Sequence, residues 1–287
     1  MTNLPSILAG LSEIADGYDA LICDVWGVLH DGKSAYPGAV EALKRFRAGH
    51  GPVVLLSNAP RPVSVLEAQF AQIGVPTDCY DAIVTSGVVT RDALAERSHG
   101  ETLRILHIGP ERDRGVFDGL PIACVGLEQA SVVLCTGPYD DDVETPDDYR
   151  DLLADMKTRG LTLLCANPDV VVQRGGRLVY CAGAIARVYD EMGGETIYYG
   201  KPFAPIYATT LATARTAAGR ALKRPLAAGD GLETDITGAN RMGLDALFIA
   251  DGIHGEQIPQ SLTPQAIKHF FDDHHVNARA VLRTLVW

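Results

Sequence analysis

Short apolar runs alternate with amphipathic stretches along the chain. Segments 21–23, 53–56, 82–85, 103–108, 132–135, 161–165, 226–228 and 246–250 read as strands. Segments 38–48, 63–73, 88–94, 146–157, 183–192, 206–218 and 235–242 carry the spacing of helices. Most of the strand runs are nearly continuously apolar, as expected of strands covered on both faces, and strands separated by helices pair in parallel. The pattern therefore predicts an α/β fold built on a parallel sheet. No fixed-period repeat or low-complexity tract interrupts it.

Polar residues punctuate this pattern at the ends of apolar runs. Asp24 follows 21–23 and leads into the turn Val25-Trp26-Gly27. Ser57-Asn58 follows 53–56, Gly200-Lys201-Pro202 follows 196–199, and Gly229-Asp230 opens the string that ends at Thr234-Asp235 after 226–228. Ligands of open α/β sheets bind beyond the carboxyl ends of the strands, so all four segments are placed to meet at one rim. Thr234 is expected to cap a helix starting near Asp235.

Composition narrows the partners. With 25 Lys and Arg against 36 Asp and Glu, the net charge is −11. That excludes a general nucleic-acid or anionic-membrane binder, which needs a basic face. It leaves room for a small anionic substrate, because a bound cation reverses the field inside one cleft. No apolar stretch nears the ~18 residues of a membrane span, and the first residues do not read as a secretory signal, so a cytoplasmic protein is expected. The six cysteines include no C-x-x-C pair, and Cys23, Cys135 and Cys165 read as small buried apolar residues. His274-His275 is expected on a solvated helix. The acidic loop from Tyr139 to Glu144 reads as a solvated connection, with a helix start at Thr145-Pro146.

Phosphoryl transfer gives these residue types a common purpose. A carboxylate nucleophile divides one hard displacement into two easier ones. A hard cation such as Mg²⁺, held by carboxylate oxygens, offsets repulsion between that nucleophile and the phosphate. A hydroxyl and a lysine ammonium hold the remaining phosphoryl oxygens.

The ordered set D-x-x-G-V-L at 24–29, S-N at 57–58, G-K-P at 200–202 and G-D-x-x-x-T-D at 229–235 resembles the haloacid dehalogenase (HAD) superfamily. It is most similar to the class IIA group of nucleotide, sugar-phosphate and pyridoxal-phosphate phosphatases. The run Ala166-Asn167-Pro168-Asp169 before a Gly-rich stretch resembles that class's cap. The resemblance implies a Rossmann-like parallel sheet core from 1–94 and 196–287, with an inserted α/β cap domain from 95–195. It implies a Mg²⁺-dependent phosphohydrolase acting on a small phosphorylated metabolite through an aspartyl-phosphate. Asp24 would be nucleophile and metal ligand, with Ser57, Asn58 and Lys201 at the phosphate. Asp230, Asp235 and the backbone carbonyl of Trp26 would complete the metal site. The class includes cap-mediated dimers, so a homodimer is allowed.

One position departs from that family's pattern. Its phosphatases carry an aspartate two residues after the nucleophile to serve as general acid and base, whereas this chain has Trp26, whose indole only donates. Loss of such a group typically slows reaction ~10²–10⁴-fold. A slow or specialised phosphatase, a phosphate-ligand-binding regulator and a phosphotransferase are the readings this leaves. His30 is a replacement acid to consider, with an outward-pointing side chain the alternative. Ala59 stands where the family often has a second asparagine. Arg61 is read as a helix-start residue in solvent, with an anionic substrate as its other partner.

Overall fold

The computed structural model describes residues 4–174, 177–258 and 261–287. The chain lays down β1 (Ser6–Ile7), β2 (Ala20–Asp24), β3 (Val53–Ser57) and β4 (Ala82–Thr85). The middle stretch follows with β5 (Leu103–Ile108), β6 (Ile122–Cys124), β7 (Val132–Cys135), β8 (Thr162–Cys165), β9 (Val171–Arg174), β10 (Arg177–Tyr180) and β11 (Glu195–Tyr198). The last third adds β12 (Pro225–Gly229), β13 (Asp245–Ile249) and β14 (Ala280–Leu282).

The first and last groups share a seven-stranded sheet in the order β1-β14-β13-β12-β2-β3-β4. Its β2–β3, β2–β12, β12–β13, β13–β14 and β1–β14 pairs are parallel. The middle group forms a five-stranded sheet, β11-β8-β7-β5-β6, and an antiparallel β9–β10 pair. The expected parallel α/β architecture is present, with a second α/β sheet contributed by the middle of the chain. The residues divide into two compact units: one comprises 1–57, 66–84 and 207–287, the other 58–65 and 85–206.

In the first unit every residue of β2 is buried, which requires the apolar run that precedes Asp24. Leu232, Ile236, Phe248, Ile267 and Phe271 build a core beside β12 and β13. In the second unit Val133, Cys135, Leu163 and Cys165 pack with Leu153, Met156, Ile185 and Tyr189. None of the six cysteines is in a disulfide; Cys124 is exposed and the other five are buried. No described helix is long and apolar enough to cross a membrane.

Several local expectations are corrected. The segment after β12 begins with a π turn, Leu232–Ile236, and becomes α-helical only over Thr237–Arg241. Thr234 lies inside that turn, so it does not cap a helix starting at Asp235. His274 is the C-terminal cap of the helix Pro264–Asp273, and His275 follows in the left-handed region, so neither lies within the helix. The acidic loop, by contrast, is mostly exposed as expected, and ion pairs tie it down: Arg174 forks onto Asp141 at 3.0 and 3.1 Å and reaches Asp142 at 2.6 Å. Arg112 pairs with Asp141, and Arg177 with Asp142. The helix start at Thr145 carries a reciprocal capping box with Asp148. Gly175 and Gly176, the Gly-rich part of the cap-like motif, lie outside the described residues.

On β5, His107 Nε2 lies 3.0 Å from Thr136 Oγ1, and Phe117 meets its ring edge-on at 5.2 Å. Burial, helped by Arg114, pushes its imidazole down to about 4. The folded state thus holds His107 neutral where the unfolded chain, titrating near 6.5, takes up a proton. Stability from this site is complete above pH 6.5 and declines as pH falls to about 4, by on the order of 2 kcal/mol after allowing for solvent screening. Urea unfolding at pH 7 and pH 4.5 is expected to show a smaller acid-induced loss for His107→Gln than for the parent chain. Equal losses would contradict this assignment.

Candidate active site

β2 is the switch point of the seven-stranded sheet, with β3 on one side and β12, a strand from the other end of the chain, on the other. A crevice opens at such a point beyond the strand ends. Asp24 ends β2, and Asp230 follows the last residue of β12. Asp235 returns to the same place through the π turn. Carboxylate oxygens of Asp24, Asp230 and Asp235 all lie within 4.8 Å of one another. The residues are only 7%, 6% and 6% exposed.

Backbone supports these side chains. Ile253 N–H donates to Asp230 Oδ2 at 2.7 Å, and Gly231 N–H donates to Asp235 Oδ2 at 3.1 Å. Glycines make the approach possible. A Cβ at Gly27 would lie 2.2 Å from Asp230 Oδ2, and one at Gly252 would lie 2.0 Å from it. A Cβ at Gly229 would lie 2.2 Å from Asp235 Cγ. Gly27 also has φ +80°, a conformation that favours glycine.

The donor set fits a hard divalent cation: three oxygen-bearing carboxylates, two of them oriented by N–H donors. Each ionised pair at such separations repels by roughly 3–4 kcal/mol at an effective dielectric near 20, which a cation offsets.

Trp26 follows Asp24 in a tight loop, where Leu29 N–H donates to Val25 C=O at 2.9 Å and Gly27 N–H donates to His30 C=O at 2.9 Å. The indole lies over the next turn, so close that a Cβ at Gly32 would sit 2.5 Å from Cη2. His30 is packed beneath it, 5.2 Å from Trp26 and 5.8 Å from Phe70 between ring centroids. His30 Nδ1 accepts the Gly32 N–H at 2.9 Å. Burial pushes its imidazole down to about 4. The outward-pointing alternative is thus corrected: His30 is 1% exposed and holds the loop in shape. A neutral imidazole with this basicity is a poor proton donor near pH 7.

Ser57 ends β3, one residue beyond Leu56, the register partner of Asp24. Asn58 and Lys201 belong to the second unit, where both are 3% exposed. Lys201 is therefore no ordinary surface lysine. Arg61, expected in solvent or at a ligand, pairs with buried Asp113 at 3.0 Å. Sequence reasoning did not single out Tyr36, whose phenol is raised by burial and then by Asp31 and Asp230, and so keeps its proton. Only three-dimensional proximity to Asp230 reveals that residue.

Comparison with known proteins shows which family the chain resembles. A family model described as haloacid dehalogenase-like hydrolase matches residues 21–122, and a second, HAD-hydrolase-like, matches 198–274. The chain is 28% identical over 237 residues to ribonucleotide monophosphatase NagD of Escherichia coli K12, spanning 81% of this chain and 88% of that one. It resembles the crystal structure of a haloacid dehalogenase-like hydrolase from Brucella suis 1330, with 42% identity and a TM-score of 0.85 over 99% of this chain and 100% of the other. The glycerol phosphate phosphatase of Mycobacterium tuberculosis, solved in complex with magnesium, shares the fold at a TM-score of 0.64 and 22% identity, over 84% of this chain and 70% of that one.

The close approach of Gly252 to Asp230 provides a test. Gly252→Ala is expected to displace the carboxylate and weaken Mg²⁺ binding about tenfold or more, as altered supporting groups do at metal sites. Calorimetric titration with Mg²⁺ measures this directly. Unchanged affinity would show that Asp230 is not a ligand in the bound state.

Proposed function

Because the chain belongs to the haloacid dehalogenase-like hydrolase family, we propose that it is a class IIA Mg²⁺-dependent phosphatase of a small phosphorylated metabolite, a sugar phosphate or a nucleotide. The observation that carries this reading is the convergence of Asp24, Asp230 and Asp235 within 4.8 Å at the ends of neighbouring strands. These carboxylates, with the Trp26 carbonyl, would hold Mg²⁺, which supplies charge compensation at the phosphoryl oxygens.

An Asp24 carboxylate oxygen attacks phosphorus, the bond to the leaving oxygen breaks, and an aspartyl-phosphate forms. Water then attacks phosphorus and releases phosphate and the Asp24 carboxylate. Ser57 and Lys201 hold the phosphoryl oxygens, with Asn58 supporting them. The Trp26 indole supplies no acid or base, so the leaving oxygen takes its proton from water. Substrates with stable leaving groups gain most from such a site, and breakdown of the aspartyl-phosphate is slow. We assign 95–195 as the cap domain that selects the substrate; all of it falls in the second unit. The homodimer and the cytoplasmic setting belong to the same proposal, the latter in accord with six unbridged cysteines.

Phosphate release from p-nitrophenyl phosphate and a panel of metabolite phosphates, with Mg²⁺ or EDTA, tests this function. Turnover is expected with Mg²⁺, to vanish with EDTA, and to fall at least ~10³-fold in Asp24→Asn, as removal of a nucleophile does. Trp26→Asp is expected to raise turnover of alkyl phosphates by roughly 10²-fold if it restores the acid. A silent parent chain awakened by Trp26→Asp would instead identify a phosphate-ligand-binding regulator. Transfer of phosphate from Asp24 to an added alcohol in preference to water would identify a phosphotransferase.

A further inference from the structure

The side-chain amide of Asn58 grips both main-chain groups of Lys201. Lys201 N–H donates to Asn58 Oδ1 at 2.7 Å, and Asn58 Nδ2 donates to Lys201 C=O at 3.3 Å. The same Nδ2 also donates to Asp169 Oδ1 at 2.8 Å. The three residues lie in one unit, although 143 positions separate Asn58 from Lys201 and 111 separate it from Asp169.

Each partner is itself held. Asn58 C=O accepts from Ser86 Oγ at 2.7 Å. Asp169 N–H donates to Asn167 Oδ1 at 3.1 Å, and Asp169 C=O accepts from Gly183 N–H at 3.1 Å. There is no slack beside the clamp: a Cβ at Gly200 would meet Pro168 Cδ at 2.4 Å and Asn58 Oδ1 at 2.5 Å.

The chemistry of the contacts sets their polarity. An ionised carboxylate only accepts, so Asp169 selects the donor end of the amide. With the amide turned over, donor would face donor at Lys201 N–H, and oxygen would face oxygen at Lys201 C=O and Asp169. The bond to Asp169 is charge-assisted and the strongest in kind of the three. A lysine ammonium rides on a flexible four-carbon stem, so fixing its main chain narrows where the charge can go.

We propose that Asp169 is a positioning residue for Lys201, its carboxylate acting through the Asn58 amide to hold the lysine main chain for phosphoryl binding. The proposal rests on the phosphatase function given above.

Two readouts separate the proposal from that function: kinetics on p-nitrophenyl phosphate with Mg²⁺, and amide hydrogen exchange at Lys201. Asp169→Ala is expected to lower kcat about tenfold with KM changed less than about twofold, the signature of an interaction that matters in the transition state. Lys201 exchange should accelerate about tenfold as its hydrogen-bonded state becomes less populated. Asn58→Asp sets two carboxylates face to face and should lose more. Combining Asn58→Asp with Asp169→Asn restores a donor–acceptor pair of reversed polarity, so exchange should slow and kcat should recover above that of Asn58→Asp. If Asp169→Ala does not fold, the double variant carries the comparison. Unchanged Lys201 exchange in Asp169→Ala, or a double variant no better than Asn58→Asp, overturns the proposal. A parent chain that releases no phosphate overturns the function instead, and the exchange data still decide the role of Asp169.

Discussion

Like charges must be held together in this fold. Asp24, Asp230 and Asp235 meet within 4.8 Å in a nearly buried setting, against mutual repulsion. Nothing local in the chain brings them together. The parallel pairing of β2 with β12 sets the two strand ends side by side, and apolar burial along both strands fixes their register. Glycines at 27, 229 and 252 then let backbone and carboxylate approach at distances no other residue permits. Folding energy from the apolar strands thus maintains an acidic cluster whose oxygen donors suit a divalent cation.

The rest of the loop after Asp24 follows from the same need for close packing. The Trp26 indole lies over Gly32 and against His30, and the proposed function sets it where the resembled phosphatases keep a proton donor. The change is therefore built into the shape of the turn. On the proposed function, such a site would keep charge compensation and a nucleophile while giving up assisted proton transfer, and the lifetime of the aspartyl-phosphate would follow from that balance. In the second unit, the Asn58 amide links Asp169 to the main chain of Lys201. The lysine thereby depends on residues far from it in sequence.

Much of this was legible before any coordinates. Buried parallel strands announce themselves as unbroken apolar runs, so β2, β3, β7 and β12 were readable, along with the polar residues at their ends. β1 and β14 were not, because two or three residues cannot display a period. The turn after β12 looks like a helix start in sequence, since Thr234 and Asp235 are good caps; Asp235 instead uses its carboxylate on Gly231 N–H within a π turn. His30 looked free because burial is set by Trp26 and Phe70, one of which lies 40 positions away. Arg61 and Asp169 likewise have partners that tertiary pairing alone supplies.

The most direct measurement is acid quenching of the enzyme during turnover of p-nitrophenyl phosphate with Mg²⁺, followed by mass spectrometry of the peptide containing Asp24. The account predicts an acyl-phosphate on Asp24, building up because water attack lacks a general base, and absent with EDTA. Phosphate release with Asp24 unmodified at every time point, or a phosphoryl group on another residue, would contradict it.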